Sequence, residues 1–211
     1  MHIANKASKI IVAIDSFKGC LTSKEANQAA ADGITSILSE RLREGAPVGM
    51  TDVVQVPLSD GGEGFLDAFH AAIGGEQIEV TVRDPLMRLI SVKYLLRDEL
   101  AVIEIAQASG LTLLTKEERN PMVATSYGTG QLVADAVRKG AKHIIVGLGG
   151  SATSDAGIGM LRALIDAFAK HGCWDDIKEL KQVRFTIASD VKNPLCGENG
   201  AAHVFAFQKG A

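Results

Sequence analysis

Short β-branched runs alternate along this chain with longer amphipathic or Ala-rich runs, and that alternation constrains the fold more than any single motif does. Parallel strands joined by crossover helices produce this pattern, so it predicts an α/β protein. The first unit is a strand over Lys9 to Ile14 (KIIVAI), the loop DSFKGCLTS and a helix from about Lys24 to Glu40. Thr22 or Ser23 can serve as its N-cap, because a side-chain oxygen can take one of the unpaired first-turn N–H groups. The second unit is a strand over Asp52 to Val56, the loop PLSDGGEG and a helix from about Glu63 to Ile73, closed by Gly74 and Gly75.

Between Gln77 and Ile105 the rhythm changes. EVTVRD, ISVKYLL and AVIEIA are three strand-like segments with no helix between them, which predicts an antiparallel patch and the start of a second domain. The βα rhythm then resumes with a helix from about Gly130 to Lys139, a strand over His143 to Leu148, the loop GGSATSDAG, a helix from about Ile158 to Lys170, and a last strand over Arg184 to Ala188. The expected architecture is a Rossmann-like parallel-sheet domain at residues 1–77 and a second, mixed α/β domain at residues 78–211.

Composition narrows the function classes. At 211 residues and 46% apolar content, the chain can bury one sizeable core or two small ones. The formal net charge is -3, with basic and acidic residues spread along the chain, which gives no footprint for a nucleic-acid backbone or an anionic membrane. Seven Phe, two Tyr and one Trp are too few for base-stacking platforms. No apolar run approaches the roughly 20 residues that span a bilayer, and MHIANKASKIIVAID does not read as a signal peptide. Cys20, Cys173 and Cys196 are odd in number and far apart, so neither a disulfide framework nor a zinc site is indicated. A cytoplasmic location is expected.

In open parallel sheets, ligands bind beyond the carboxyl ends of the strands, and the unusual residues of this chain fall there repeatedly. After the first strand come Asp15, Ser16 and Lys18; Lys18 can hold a phosphate or a carboxylate as a point charge. After the second come Ser59, Asp60, Gly61, Gly62 and Glu63, where glycines let backbone N–H groups approach an anion at a helix start. The two acids suit a phosphate with Mg²⁺ between, or Asp60 acts as a base toward a hydroxyl; the plainer alternative is that Asp60 caps the helix. After the strand at His143 come Gly149, Gly150, Ser151, Thr153 and Asp155, a small-residue loop whose amides and hydroxyls suit an oxyanion. It matches neither a P-loop nor a dinucleotide fingerprint, so its glycines can also serve turn geometry alone. Glu104, the Ser126–Gly130 stretch and Asp190 are weaker candidates, Asp190 being an acid at the end of an apolar strand. The five histidines have no partner at triad or metal spacing.

Taken in order, IVAIDSFKGCLTSKEA, VPLSDGGEGF, VIEIAQASGL, NPMVATSYGTGQL, IIVGLGGSATSDAGIGML, SDVKNPLCGENGAA and VFAFQKGA resemble the bacterial-type glycerate kinases, over Ile10 to Ala211. The resemblance implies a two-domain α/β enzyme that uses ATP and Mg²⁺ to phosphorylate D-glycerate in an interdomain cleft, with 2-phosphoglycerate the commoner product. It carries over to Asp15, Ser16 and Lys18, to Asp60 through Glu63, to Gly149 through Asp155, to Asp190, and to Gln208 and Lys209. For phosphoryl transfer, positioning and charge neutralisation dominate. Asp60 and Asp190 are therefore the candidates for Mg²⁺ binding or hydroxyl activation, and Lys18 and Lys209 for facing phosphate or carboxylate charge.

Ser154 and Ala156 stand where that family usually has Asn and Gly, Lys192 where an acidic or small residue is frequent, and Ala206-Phe207 where Gly-Pro is expected. The chain also stops at QKGA, where the family continues for nearly as long again. The competing reading is therefore a non-catalytic small-anion-binding fragment. A nicotinamide oxidoreductase shares the architecture but not the glycine fingerprint. A first domain with few strands leaves a sheet edge and apolar helix faces to cover, so self-association is expected.

Overall fold

The computed structural model describes residues 8–17, 20–45 and 51–211. It contains two sheets. The first is a parallel pair, β1 (Ser8–Val12) and β2 (Thr51–Gln55), in which Ile10 lies opposite Val53. They are joined by a crossover helix, α1 (Ser23–Arg43). Thr22 and Glu25 form a full capping box at its start: the Thr22 hydroxyl accepts from the Glu25 amide at 3.2 Å, and the Glu25 carboxylate accepts from the Thr22 amide at 2.8 Å. Arg41 and Arg43 lie in its last turn, where cations suit the helix dipole.

The helix α2 (Phe65–Ile73) follows β2 and ends at Gly74. It starts two residues later than the sequence suggests. Its N-cap is Gly64, in left-handed backbone, so Asp60 is not its cap. The apolar side of α2 faces the larger sheet: Phe65 and Leu66 are buried with Leu95 and Val102, and Phe69 and Ile73 pack against that cluster.

The larger sheet has the order β3–β4–β5–β6–β7. Its strands are β3 (Glu76–Arg83), β4 (Leu89–Arg97), β5 (Leu100–Glu104), β6 (His143–Gly147) and β7 (Arg184–Ala188). The first three run antiparallel as the missing helices required, and β5, β6 and β7 are parallel. The β3–β4 turn is held by buried Asp84, whose carboxylate accepts from the Leu86 and Arg88 amides at 2.8 Å and pairs with the Arg88 guanidinium.

The strand-like run AVIEIA does not stay extended. It bends at Glu104 into a short helix, α3 (Ile105–Ser109). The two long helices of this half are α4 (Tyr127–Arg138) and α5 (Ile158–Phe168), and a short α6 (Ala201–Phe205) lies near the C-terminus. The main core lies between the sheet and α4 and α5: Val82, Tyr94, Ile103, Leu132, Val133, Ile144 and Leu164 are almost wholly buried, each such aliphatic side chain contributing about 1.5–3 kcal/mol. A Cβ at Gly130 would sit 2.4 Å from the Met160 carbonyl oxygen, so only glycine lets α4 and α5 approach this closely. Tyr94 brings a polar group into this core; its hydroxyl donates to Asp135 at 2.9 Å, and burial drives its pKa up. Among the described residues no helix is long and apolar enough to cross a membrane.

Candidate active site

The ends of β1 and β2 are fused by two polar side chains from the first turns of α1. The wholly buried Asn27 donates to the Ile14 carbonyl at 2.8 Å and accepts from the Ile14 amide at 3.2 Å. The Ser23 hydroxyl donates to the same carbonyl at 2.7 Å and accepts from the Leu58 amide at 3.1 Å. The loops beyond both strands thus start from one fixed point. Asn27 escaped sequence reading because nothing local separates a buried Asn from one on a solvated helix face. Asp15 and Ser16 follow, half-buried, with the Ser16 amide on the Asp15 carboxylate at 2.6 Å. Lys18 lies outside the described residues.

The second loop, residues 59–64, folds on itself and then onto the larger sheet. The Ser59 hydroxyl accepts from the Gly61 amide at 3.3 Å, and the Asp60 carboxylate accepts from the Gly62 amide at 2.9 Å. Such short side-chain-to-backbone turns are what Ser and Asp offer in loops. The Gly61 carbonyl accepts from the Gly149 amide at 2.9 Å. A Cβ on Gly61 would lie 2.8 Å from the Ala188 carbonyl oxygen, and one on Gly149 would lie 2.3 Å from the Cα of Gly62. Backbone here touches backbone, joining the loops after β2 and β6 to the end of β7. Glu63 stays exposed beside them.

Beneath this loop lies Glu104, at the end of β5 and only 2% exposed. Its carboxylate accepts from the Leu66 amide at 3.1 Å, supplying from a distant strand the partner that the start of α2 lacks locally. Burial pushes its carboxyl above the ordinary 4.5, with the Leu66 and Gly64 amides pulling the other way and the charges of Asp67 and Glu63 adding to the rise. In the sequence its signal is an acid closing the apolar run AVIE.

The third loop is braced from two sides. Ser151 pairs as an isolated bridge with Gly110, the Ser109 carbonyl accepts from the Ala152 amide at 2.9 Å, and the Ser151 and Thr153 hydroxyls are 2.9 Å apart. Gly150 turns the chain at a φ of 74°. The Asp155 carboxylate accepts from the amides of Ser126, Gly157 and Gly159 and from the Ser126 hydroxyl, all at 2.8–3.1 Å, and so clamps the starts of α4 and α5 together. Lys209 reaches back from the C-terminus and donates to the Thr153 carbonyl at 2.5 Å. Partial burial lowers the pKa of its ammonium while the nearby Asp155 charge opposes that. Gln208 is exposed next to it.

Asp190 stands exposed two residues past β7, on the same rim as Asp60, since Gly61 abuts Ala188. Among the described residues no three His, Cys, Asp or Glu side chains are grouped to hold a metal by themselves. Mg²⁺ binds through one or two carboxylates, with waters and substrate phosphates completing its shell, so the hard oxygens of Asp60 and Asp190 at an open rim suit it chemically. A cleft of about 880 Å³ opens between the two sheets, with Ser16, Thr22, Lys24, Glu63, Glu104 and Gln107 among its walls; Asp60, Asp190, Gly149 through Asp155 and Lys209 are not among them. That volume is in the range of small-molecule sites.

The fold and these loops define an α/β protein with glycine-rich loops at the carboxyl ends of its parallel strands and a cleft beside them. The comparisons sharpen that class. The family model described as "Glycerate kinase family" matches residues 10–211, and the chain belongs to that family. It is 38% identical to the glycerate kinase of Halalkalibacterium halodurans, over 96% of this chain and 56% of that protein. It is 37% identical to the glycerate 2-kinase of Escherichia coli, with the same shares. A crystal structure assigned as glycerate kinase 2 from Salmonella typhimurium LT2 superposes with a TM-score of 0.76 at 35% identity, over 97% of this chain and 58% of that one. The chain therefore spans a little over half the length of the relatives it matches.

Proposed function

We propose that the protein is a cytoplasmic ATP-dependent kinase that phosphorylates D-glycerate, with 2-phosphoglycerate as product and Mg²⁺ as cofactor, built from domains at residues 1–77 and 78–211. The observation that carries this reading is the backbone-to-backbone junction of Gly61, Gly62, Gly149 and Ala188, which brings the loops after three strands together. Mg²⁺, when bound, neutralises phosphate charge. The chain's own residues do the rest. Asp60 or Asp190 takes the proton of the attacking hydroxyl, the other holding the metal; Lys18 and Lys209 face phosphate or carboxylate charge; Asp15, Ser16, Ser59, Glu63 and the amides and hydroxyls of Gly149 through Thr153 position the ligands. Asp155 keeps the third loop in shape.

The test is coupled ADP release by the purified chain with ATP, Mg²⁺ and D-glycerate against a no-glycerate control. Glycerate-dependent release is expected; binding without turnover in folded protein would favour the non-catalytic anion binder instead. Asp60→Asn and Asp190→Asn should each lower turnover about 10²-fold or more without unfolding, since both side chains are exposed. Wild-type turnover in both would overturn the assignment. We also propose self-association. The β1–β2 sheet has only two strands among the described residues, and Ile11, Ile37 and Leu42 are each about 60% exposed. Light scattering that finds a monomer at every concentration would refute it.

A further inference from the structure

We infer that Glu104 is the positioning residue of the loop that carries Glu63: its buried carboxylate pins the start of α2 to the larger sheet and so sets where Glu63 stands. The inference rests on the proposed reaction for its catalytic consequence, but its structural half stands on geometry alone.

The loop is anchored at two points. On one side Gly61 and Gly62 lie against Ala188 and Gly149, and the Gly149 amide donates to the Gly61 carbonyl. On the other, the first turn of α2 has no side-chain cap, because Gly64 carries no side chain and the Asp60 carboxylate accepts from the Gly62 amide; the Phe65 amide donates to the Gly62 carbonyl at 3.1 Å, and the Leu66 amide finds its partner elsewhere. Glu104, 38 residues away in sequence, accepts from the Leu66 amide at 3.1 Å. Next to it the Phe65 ring fills the space above Gly147, where a Cβ would come within 2.7 Å of that ring. Glu63 lies between these anchors, and Asp60 stands just before the first. Glu104 is the last residue of β5, opposite Gly147 of β6, so its Cα is held by that parallel pairing. Loss of its carboxylate would free the α2 side of the loop while the Gly149 side stayed tied, swinging Glu63 rather than unfolding the protein.

The experiment compares wild type, Glu104→Ala and Glu104→Gln in the full chain by amide hydrogen exchange and steady-state kinetics. A buried donor left without its partner shifts a local opening equilibrium by about ten-fold or more. Exchange over residues 61–66 should therefore quicken about ten-fold in Glu104→Ala, with the β3–β4 hairpin unchanged, while Glu104→Gln, which keeps an acceptor oxygen, stays close to wild type. Glycerate-dependent kcat should fall about ten-fold or more in Glu104→Ala at unchanged KM for ATP, with Gln restoring most of it. Unchanged exchange at 61–66 in Glu104→Ala overturns the anchoring, and so does a uniform rise across the chain with unaltered kcat per folded molecule. If Glu104→Ala does not fold, Glu104→Gln decides: a hairpin and loop exchange pattern unlike wild type would show that the negative charge, not the acceptor oxygen, holds the loop, and would overturn anchoring through the Leu66 hydrogen bond. A wild type that shows no glycerate turnover would sink the reaction while leaving the exchange result to judge the anchor.

Discussion

Replacing Gly149 by alanine tests the loop junction directly. A Cβ at this position would stand 2.3 Å from the Cα and 2.6 Å from the nitrogen of Gly62, where ordinary contact begins near 3.4 Å. Both atoms are backbone, so no flexible side chain can swing aside, and the two loops must part by about 1 Å. Parting strains the Gly149 amide to Gly61 carbonyl bond, now 2.9 Å. The backbone at Gly149 is not in the left-handed region, so the penalty is steric and not conformational. Overpacking of this kind costs about 1–3 kcal/mol, and a 1 Å misplacement of reacting groups costs on the order of 10²-fold in rate. Urea denaturation and coupled ADP release on the same preparation should therefore show a modest loss of stability beside a large loss of turnover. Wild-type turnover in Gly149→Ala would refute the claim that this junction sets the active-site geometry.

Two further outcomes follow from single residues. Ala156 sits at a φ of 52°, a region costing about 1–2 kcal/mol for a residue with a Cβ, and its side chain is exposed; Ala156→Gly should raise stability by about 1 kcal/mol, read as a higher urea midpoint at the same slope. The raised pKa of Glu104 gives a pH dependence of definite sign: its contribution is fully present below the unfolded value near 4.5 and is lost as pH rises through the higher folded value. Stability of wild type relative to Glu104→Gln should therefore fall as pH rises above the unfolded value, and a difference that is flat or grows with pH would refute the burial.

The sequence by itself determined the alternation of strands and helices, the antiparallel patch from Gln77 onward, and which loops carry the unusual residues, because hydrophobic period, caps and glycine clusters are local signals. Thr22 could be read as the cap of α1 because its partner is three residues away. Residues whose roles depend on distant partners could not be read the same way. The plainer alternative for Asp60, capping α2, does not hold, because that helix is capped by Gly64 and the side-chain acceptor for its Leu66 amide is Glu104, 38 residues away in sequence. Asp155 looked like a ligand in an anion loop, yet its oxygens are taken up by Ser126, Gly157 and Gly159. That Gly61, Gly149 and Ala188 touch was decided by tertiary structure alone, since the requirement for no side chain at Gly149 comes from backbone nearly ninety residues earlier, and no local pattern records it.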